Sequence, residues 1–360
     1  MLSNILIAGG GTGGHVYPAI AIADAIVKMD PKIKIHFVGT KKGLENKIVP
    51  EAGYPLHLVP IGRLNRNVGL WEQLKTVIGL PASFVISIFL LLKLRPQFVI
   101  GVGGYASAPV LFVASLFGFK TAIWEPNAYP GMANRWLSRF VDESLVVFQE
   151  AKRFLRTAKT IPVGLPIRDK IEKVLPKSQV SQPLRVLIFG GSQGARGINL
   201  VVSAVIEKKP SWLAQLEIVH QTGKYDFEEV RQKYKDAPKN VQVFEYLDDM
   251  EARYEWADLV LCRSGASTLS ELAACAKPSV LIPYPLAADN HQLKNAEAFE
   301  QKNASLMVEQ KNFTEQKLEQ ILMHFLKHSD ELLNMGQNAR YFYVPKAADQ
   351  IAIHILEALR

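Results

Sequence analysis

The sequence NILIAGGGTGGH at residues 4–15 decides the fold. An apolar run at Asn4–Ala8 leads directly into a glycine-rich loop, and a helical pattern follows at Pro18–Met29. A short apolar strand, a loop of glycines and a helix form the opening unit of a doubly wound α/β domain. Glycines leave the backbone N–H groups of such a loop accessible, and the start of a helix favours an anion such as phosphate. The stretch therefore predicts a Rossmann-like domain with a candidate phosphate site at its first loop.

The same arrangement starts again in the second half of the chain. Leu184–Phe189 is a predicted strand, residues 190–194 are GGSQG, and a helical stretch follows from Gly197. Further short apolar runs alternate with helical stretches, which is typical of parallel sheets covered on both faces. These further predicted strands are Lys34–Val38, Gln97–Gly101, Lys120–Trp124, Leu216–His220, Val241–Phe244, Leu259–Cys262 and Ser279–Pro283. The repeat predicts two doubly wound α/β domains in tandem.

The boundary between the two domains is predicted near Ile161–Pro166. The sequence there is IPVGLP, which resists helix formation and suits a linker. We therefore assign residues 1–163 to the first domain and residues 164–340 to the second. A last apolar pattern at helical spacing, Ala347–Leu359, predicts a C-terminal helix.

Composition excludes several classes of protein. With 360 residues, of which 48% are hydrophobic and 21% charged, the chain has the composition of a globular protein and not of a disordered one. Its two cysteines, Cys262 and Cys275, cannot form a disulfide framework, and no Cys/His spacing indicates a structural zinc site. The first residues lack the basic region of a secretory signal, so we expect a cytoplasmic protein.

The net charge of +8 is unevenly distributed. Residues 1–166 contain 18 basic and 9 acidic residues, whereas residues 167–360 contain 24 and 25. An excess confined to one half indicates an anionic partner for that half, which could be a membrane surface, nucleic acid or a phosphorylated substrate. A chance distribution of solvated lysines is the alternative.

An uncharged segment, Val77–Leu92, stands out between Lys75 and Lys93. As a helix it would span about 24 Å, short of the roughly 30 Å hydrocarbon core of a membrane. We expect its small residues to lie against a sheet and its bulky residues to point elsewhere. The small residues are Gly79, Ser83 and Ser87, and the bulky ones are Phe84, Ile88 and Leu91. Either the helix is buried on both sides, or it presents an apolar patch to a membrane surface.

The first glycine loop fits the pattern GxGxxG at Gly9, Gly11 and Gly14. A dinucleotide site also needs an acidic residue at the end of the second strand. This chain has Lys41 and Lys42 there, so NAD is disfavoured, whereas NADP stays open because the lysines could meet a 2′-phosphate.

A histidine and a second glycine cluster extend this candidate site. His15 lies near the start of the first predicted helix, where imidazolium is disfavoured, so we expect a neutral ring that accepts a proton. A capping or packing role is the alternative. Residues 101–107, GVGGYAS, close another strand of the same half. Ligands bind at the carboxyl ends of parallel strands, so both loops can serve one diphosphate, with plain turn glycines as the alternative.

The second half offers three further loops. Residues 191–194 open a helix and could hold a phosphate. Residues 262–271 place small side chains at a helix start, and Glu271 lies one turn inside, where its two oxygens could bind a ribose diol. Residues 289–292, DNHQ, carry side chains that can bind sugar hydroxyls.

Together these segments resemble the MurG family, the N-acetylglucosaminyltransferases that act on lipid-linked muramyl pentapeptide in bacterial cell-wall synthesis. The resemblance runs in order along most of the chain, from residue 9 to residue 296. The matching segments are GGGTGGHVYPAIAIA (9–23), GVGGYASAPV (101–110), WEPNAYPGMANRWL (124–137), GLPIR (164–168), GGSQGARGIN (190–199), WADLVLCRSGASTLSEL (256–272) and DNHQLKNA (289–296).

The resemblance implies a GT-B fold: two Rossmann-like doubly wound parallel-sheet domains with an interdomain cleft, and a C-terminal helix, about residues 341–360, that returns to the first domain. It implies that UDP-N-acetylglucosamine binds mainly to the second domain. The implied contacts there are Arg168, Ser192, Ala266, Ser267 and Thr268 with the diphosphate, Leu247 with uracil, Glu271 with the ribose and Gln292 with the sugar. Those implied from the first domain are Thr12, Gly13, Gly14 and Asn127.

The acceptor implied by the resemblance is undecaprenyl-pyrophosphoryl-MurNAc-pentapeptide. Its pyrophosphate would meet the residues Gly11, Gly103, Gly104 and Tyr105, which would explain the basic first half. The implied reaction is an inverting transfer to the 4-hydroxyl of the muramyl sugar. His15 is the candidate base, and Glu125 is the alternative base or orients the acceptor. We expect no metal, no other cofactor and no nucleic-acid partner.

The resemblance also implies a place in the cell. A peripheral enzyme on the cytoplasmic face of the bacterial inner membrane would contact an anionic lipid surface, and cell-wall and division proteins would be its partners. Two positions depart from the family's commoner pattern: Leu165 often is Asn, and Pro126 often is Gln. The alternatives to this function are an epimerase of UDP-N-acetylglucosamine and an NADP-dependent oxidoreductase.

Overall fold

The computed structural model describes residues 3–62 and 70–360. The chain forms two compact units, the first comprising Met1–Pro166 and Lys346–Arg360 and the second Ile167–Pro345. The division therefore falls three residues later than the boundary assigned from the sequence, and the C-terminal segment of the first unit starts at Lys346.

The described residues of each unit form one parallel sheet. The strands are β1 (Asn4–Gly9), β2 (Lys34–Gly39), β3 (Leu56–Leu58), β4 (Phe98–Gly103), β5 (Lys120–Glu125), β6 (Glu143–Val146), β7 (Lys159–Pro162), β8 (Leu184–Phe189), β9 (Leu216–Gln221), β10 (Val241–Phe244), β11 (Leu259–Cys262), β12 (Ser279–Leu281) and β13 (Leu306–Met307). The α-helices are α1 (Gly13–Met29), α2 (Glu45–Glu51), α3 (Leu70–Leu94), α4 (Ser107–Leu116), α5 (Met132–Leu137), α6 (Asp169–Glu172), α7 (Arg196–Glu207), α8 (Phe227–Lys233), α9 (Met250–Trp256), α10 (Ala266–Ala274), α11 (His291–Gln301), α12 (Glu315–Lys327), α13 (Asp330–Ala339) and α14 (Ala347–Ala358).

The two sheets share one topology. The strand order is β3-β2-β1-β4-β5-β6-β7 in the first unit and β10-β9-β8-β11-β12-β13 in the second. In both, the first strand pairs in parallel with its successor on one side and with a later strand on the other. The strand order reverses at that point, and ligands of doubly wound folds bind outside the carboxyl ends of the strands there. The predicted fold of two doubly wound α/β units is confirmed.

The apolar runs fold as strands because they are buried on both faces. Ile5, Leu6 and Ile7 of β1 are consecutive, so they point to alternate faces of the sheet, and all three are fully buried. A parallel sheet covered by helices on both sides needs this near-continuous apolar sequence. The glycine loops then begin where the buried strands end, which positions them at the carboxyl edge of each sheet.

The last helix completes the first unit. α14 packs along α1, and its His354 bonds through Nε2 to Glu143 of β6 at 2.6 Å. Lys159 of β7 donates to the other oxygen of Glu143 at 3.0 Å, and Lys120 of β5 donates to the carbonyl of Ala358. The buried Glu143 carboxylate thus ties the chain terminus to two strands of this sheet.

Several elements differ from the sequence predictions. α1 begins at Gly13, five residues before the predicted start, because the glycine-rich segment itself takes helical geometry. Four short strands, β3, β6, β7 and β13, were not predicted. The IPVGLP segment was predicted as a linker, but its first two residues end β7. A proline is tolerated at the end of an edge strand, where no partner needs its N–H.

The uncharged segment lies within α3, and two of its three small residues are buried. Ser83 and Ser87 are fully buried, and the Ser83 hydroxyl donates to the carbonyl of Pro60 at 2.9 Å. The expected direction of the bulky residues was wrong. Leu91 is buried, and Phe84 and Ile88 pack against the core of the first unit.

A different set of apolar side chains on α3 faces solvent. The exposed residues are Ile78, Val85, Ile86, Phe89 and Leu92. The helix is therefore apolar on both its buried side and its exposed side. Of the part of the chain that the structure describes, no helix combines the length and the apolar character needed to span a membrane.

Lowering the pH from 7.5 to 5 is expected to destabilise the second unit through His220. This ring is fully buried on β9, bonded to Tyr234 Oη at 2.8 Å and to Asn199 Oδ1 at 3.1 Å, and burial lowers its pKa to about 3. An unfolded histidine takes up a proton below about pH 6.5, whereas the folded one stays neutral. Stability is therefore lost as the pH falls below 6.5, by about 2 kcal/mol at pH 5.

Urea unfolding at both pH values measures this loss. His220→Gln should reduce the difference between the two pH values, whereas His328→Gln, which removes an exposed histidine of the same unit, should leave it as in the parent. An unchanged pH dependence in His220→Gln would contradict the assignment.

Candidate functional site

The two glycine loops of the first unit pack backbone against backbone. The Gly10 N–H donates to the Gly103 carbonyl at 3.2 Å. A Cβ on Gly9 would lie 2.4 Å from the Gly103 oxygen, and a Cβ on Gly104 would lie 2.5 Å from the Gly10 oxygen. No side chain fits at such distances, so glycine is needed for the loops after β1 and β4 to meet.

His15 lies on this pair of loops. It occupies the first turn of α1, and a Cβ on Gly103 would lie 2.8 Å from its Cε1 atom. The ring is half-buried, whereas Thr12 and Gly14 beside it are exposed. The first N–H groups of α1 have no partner within the helix. Accessible amides and an imidazole thus lie side by side at the carboxyl edge of the sheet.

The first loop is bonded to a carboxylate that the sequence did not indicate. Glu45, at the start of α2, accepts from the Gly11 N–H at 2.7 Å and is buried. Gly11 was expected to meet the acceptor pyrophosphate, but its N–H is already bonded. A dinucleotide site has its acid at the end of the second strand, whereas Glu45 comes six residues after the end of β2 and its side chain bonds to the loop after β1.

Glu125 ends β5 and is fully enclosed by N–H donors. One carboxylate oxygen accepts from the N–H and the side-chain amide of Asn127, at 2.9 and 3.1 Å. The other accepts from the Gly131 N–H at 3.0 Å and from Asn134 at 2.9 Å. Burial raises the pKa of this carboxyl, and the four donors oppose that shift. The arrangement holds Asn127 and its loop, and it engages both oxygens of the carboxylate.

The first loop of the second unit interlocks with the loop after β9. A Cβ on Gly194 would lie 1.7 Å from the Thr222 oxygen, and a Cβ on Gly223 would lie 2.3 Å from the Gln193 backbone. The Gln221 side chain donates to the Gly191 carbonyl at 2.9 Å. These contacts fix the loop that carries Ser192, whose own position is exposed. The role of the loop after β9 was not predicted, although its polar residues follow a buried strand directly.

The start of α10 presents amides and a carboxylate together. Ala266, Ser267 and Thr268 form its first turn, and the first intrahelical bond is donated by Leu269 to Gly265 at 3.0 Å. The N–H groups before Leu269 therefore have no partner within the helix.

Glu271 lies one turn further along α10, as expected. The buried Tyr254 donates its hydroxyl to this carboxylate at 2.9 Å, and Arg168 lies 3.6 Å away on the other oxygen. Burial raises the pKa of Glu271, and both partners oppose the shift. Arg168 and Glu271, predicted from separate segments, are thus brought together in one group, and Tyr254 was missed.

Gln292 and Arg263 occupy the neighbouring loops of the second unit. The Gln292 side-chain oxygen accepts from the Tyr284 N–H at 3.0 Å, which orients its amide. The Ser264 hydroxyl donates to the Gln292 carbonyl at 2.7 Å and thereby connects the loop after β11 to α11. Arg263, which was not singled out, is buried and donates to Ile282 O and to Gln310 Oε1 at 2.9 and 2.6 Å.

The remaining predicted residues lie on the same edges of their sheets. Leu247 follows β10 with a buried side chain, and Gly103, Gly104 and Tyr105 connect β4 to α4. The Ser107 hydroxyl caps this loop by donating to the Gly104 carbonyl at 2.7 Å. Within residues 3–62 and 70–360, no group of three or more His, Cys, Asp or Glu side chains is placed to hold a metal ion.

Two doubly wound units, each with glycine loops at the reversal of its strand order, form the arrangement found in glycosyltransferases of the GT-B class. Two family models match the chain. The glycosyltransferase family 28 N-terminal domain matches residues 5–146, and the glycosyltransferase family 28 C-terminal domain matches residues 185–351.

Individual relatives indicate which family of glycosyltransferases the chain is similar to. The chain is 49% identical to the UDP-N-acetylglucosamine–N-acetylmuramyl-(pentapeptide) pyrophosphoryl-undecaprenol N-acetylglucosamine transferase of Bdellovibrio bacteriovorus, over 98% of this chain and 99% of the relative. It is 42% identical to the protein of that name in Myxococcus xanthus, over 98% and 92%. The crystal structure of Acinetobacter baumannii MurG superposes with a TM-score of 0.83 at 29% identity, covering 99% of both chains.

The chain therefore belongs to the MurG family of N-acetylglucosaminyltransferases, within glycosyltransferase family 28. The resemblance found in the sequence is confirmed, and the alternatives of an oxidoreductase and an epimerase are set aside.

Replacing Glu125 by Gln is expected to destabilise the first unit by about 1–3 kcal/mol, because the new amide group would face N–H donors in a buried site. The thermal unfolding midpoint measures this effect. Glu51→Gln, an exposed change in the same unit, is the matched control and should leave the midpoint unchanged. Lost transfer with an unchanged midpoint would instead support Glu125 as the base.

Proposed function

We propose that this enzyme transfers N-acetylglucosamine from UDP-N-acetylglucosamine to the 4-hydroxyl of undecaprenyl-pyrophosphoryl-MurNAc-pentapeptide, forming a β-1,4 bond. The observation that carries the proposal is the 49% identity, across nearly the whole chain, to a relative whose name states this donor and this acceptor.

The donor is assigned to the second unit. The free amides at the start of α10, from Ala266 to Thr268, favour a diphosphate. Glu271 offers two oxygens to a ribose diol, and Tyr254 fixes its carboxylate. Ser192 on the loop after β8 and Arg168 add contacts to the diphosphate. Gln292 serves the sugar, because its amide is oriented by Tyr284.

Uracil is assigned to the backbone at Leu247, which follows β10. From the first unit, Thr12, Gly13, Gly14 and Asn127 are assigned to the donor sugar. The hydrogen bonds of Glu125 support the assignment of Asn127, because this carboxylate accepts from both the N–H and the side-chain amide of Asn127 and so holds its loop.

The acceptor is assigned to the first unit. Its pyrophosphate would meet the second glycine loop at Gly103, Gly104 and Tyr105, beside the accessible start of α1. Gly11 is left out of this assignment because Glu45 already takes its N–H. The basic excess of residues 1–166 supports an anionic acceptor in this unit.

The reaction forms one bond and breaks another at the anomeric carbon of the donor sugar. The acceptor oxygen attacks that carbon, the bond to the diphosphate breaks with inversion, and UDP leaves with the electron pair. His15 takes the hydroxyl proton as general base. Helix N-termini stabilise the charge that develops on the leaving diphosphate.

The membrane surface is assigned to the exposed side of α3. Its apolar residues Val85 and Phe89 face solvent, and Leu116 and Phe117 at the end of the neighbouring α4 are exposed as well. Apolar side chains of this kind, within a basic unit, suit an anionic lipid surface that also holds the undecaprenyl chain. We propose peripheral attachment to the cytoplasmic face of the inner membrane. Contacts with cell-wall and division proteins stay a prediction from the family.

A transfer assay tests the activity. The protein is incubated with radiolabelled UDP-N-acetylglucosamine and the lipid-linked muramyl acceptor, and label is expected in the lipid fraction. His15→Ala should reduce kcat by about 10²–10⁴-fold, the usual share of a general base, with UDP binding retained. Glu271→Ala is the complementary variant and should weaken UDP binding by about 1–3 kcal/mol. No labelled lipid with the unaltered protein would refute the proposal.

Vesicle co-sedimentation tests the membrane surface. Val85→Asp combined with Phe89→Asp should reduce binding to anionic vesicles while the unfolding midpoint is retained, because both side chains are exposed. Leu175→Asp combined with Ile353→Asp adds the same charge at exposed apolar positions elsewhere and should bind as the parent does. Equal binding by both double variants would contradict the assignment to α3.

A further inference from the structure

Glu45 connects two loops of the first unit through a buried carboxylate. Its Oε2 atom accepts from the Gly11 N–H at 2.7 Å. Its Oε1 atom accepts from the Thr40 N–H at 2.8 Å and from the Thr40 hydroxyl at 3.0 Å. The residue is 1% exposed. Its three hydrogen-bond donors belong to Gly11 and Thr40, which follow the carboxyl ends of β1 and β2.

Three glycines leave the space that this carboxylate fills. A Cβ on Gly10 would lie 2.4 Å from Glu45 Cδ, and a Cβ on Gly39 would lie 2.5 Å from its Cγ. A Cβ on Gly43 would lie 1.8 Å from its Oε2. Side chains are thus absent on three sides of one carboxylate, so the surrounding loops are shaped to hold the Glu45 side chain.

The carboxylate is linked to His15 by two short routes. Gly11 is the residue before Thr12, which occupies the N-cap position of α1, and His15 lies in the first turn of that helix. Gly10, next to Gly11, donates to the Gly103 carbonyl, and Gly103 lies directly against the His15 ring. A shift of the loop at Gly11 would therefore move both the helix start and the surface on which the imidazole lies.

We propose that Glu45 is a positioning residue of the transfer reaction, which sets the place of His15 by holding the first glycine loop. The proposal rests on the proposed function, in which His15 is the general base. Glu45 does not touch the substrate, because its two oxygens are bonded to Gly11 and Thr40 and the side chain is buried.

The site requires a carboxylate and not an amide. Every group that bonds to the two oxygens is a hydrogen-bond donor: the Gly11 N–H, the Thr40 N–H and the Thr40 hydroxyl. A glutamine would place its own NH₂ against either the Gly11 N–H or the Thr40 N–H, and that side would lose its bond. Glu45→Gln therefore releases one of the two loops without changing the size of the side chain.

Steady-state kinetics of the 360-residue chain test the proposal. Glu45→Gln should lower kcat by about tenfold or more, because small misplacement of a catalytic group has a large effect on rate. The Kd for UDP should stay within about twofold, since every contact assigned to the uracil, the ribose and the diphosphate lies in the second unit. Glu51→Gln removes a charge from the exposed end of the same helix and should behave as the parent.

A double variant distinguishes positioning from a general structural role. If Glu45 acts through His15, Glu45→Gln introduced into His15→Ala should lower the residual rate no further. A full multiplicative loss in the double variant, or an unchanged kcat in folded Glu45→Gln, would overturn the proposal. Activity retained by His15→Ala alone would instead refute the base assignment of the proposed function.

Glu45→Asp covers the case in which Glu45→Gln does not fold. It keeps the charge but withdraws the carboxylate by one methylene, so kcat should fall while the affinity for UDP is retained and the protein stays folded. A folded Glu45→Asp enzyme with the kcat of the parent would show that the position of the carboxylate does not matter, and would overturn the proposal.

Discussion

The first unit depends on the contact of two backbones that have no side chains between them. The Gly10 N–H bonds to the Gly103 carbonyl, and Gly9 and Gly104 allow the approach. Because β1 and β4 are neighbours at the reversal of the strand order, their loops meet only if neither carries a Cβ at the contact. The second unit repeats the constraint, with Gly194 against Thr222. The glycine content of these loops therefore reflects packing between loops as much as access for a ligand.

Much of the fold was predictable, because its strands are buried on both faces and their sequences are apolar without interruption. β8, β10 and β11 have the predicted bounds, and the restart of the pattern at Leu184 revealed the second unit. The short strands β3 and β13 have two or three residues each, too few for a periodic pattern to stand out. The prediction of which bulky side chains of α3 point away from the protein was wrong because both faces of the helix are apolar, so hydrophobicity does not indicate which face is buried.

Candidate residues could be named from the sequence where a residue follows a strand or opens a helix, as with His15, Ser192 and Glu271, whose roles stay predictions. The sequence did not predict contacts between distant elements. The Glu45 carboxylate of α2 bonds to the loop after β1, and a tyrosine on α9 donates to a glutamate on α10. Such partners are fixed by the tertiary fold, and no local spacing in the sequence marks them. Glu125 was named from the sequence, but its hydrogen-bond partners were not. Four N–H donors bind its carboxylate and fix the loop that follows β5.

The return of α14 to the first unit has a consequence for biosynthesis. The second unit is one continuous segment, so all of its residues are available before translation is finished. The first unit lacks its final helix until residues 346–360 have left the ribosome, although most of its sequence is made first. The earlier half of the chain therefore completes its folding last, and an interrupted translation product would expose the apolar face of α1 that α14 covers.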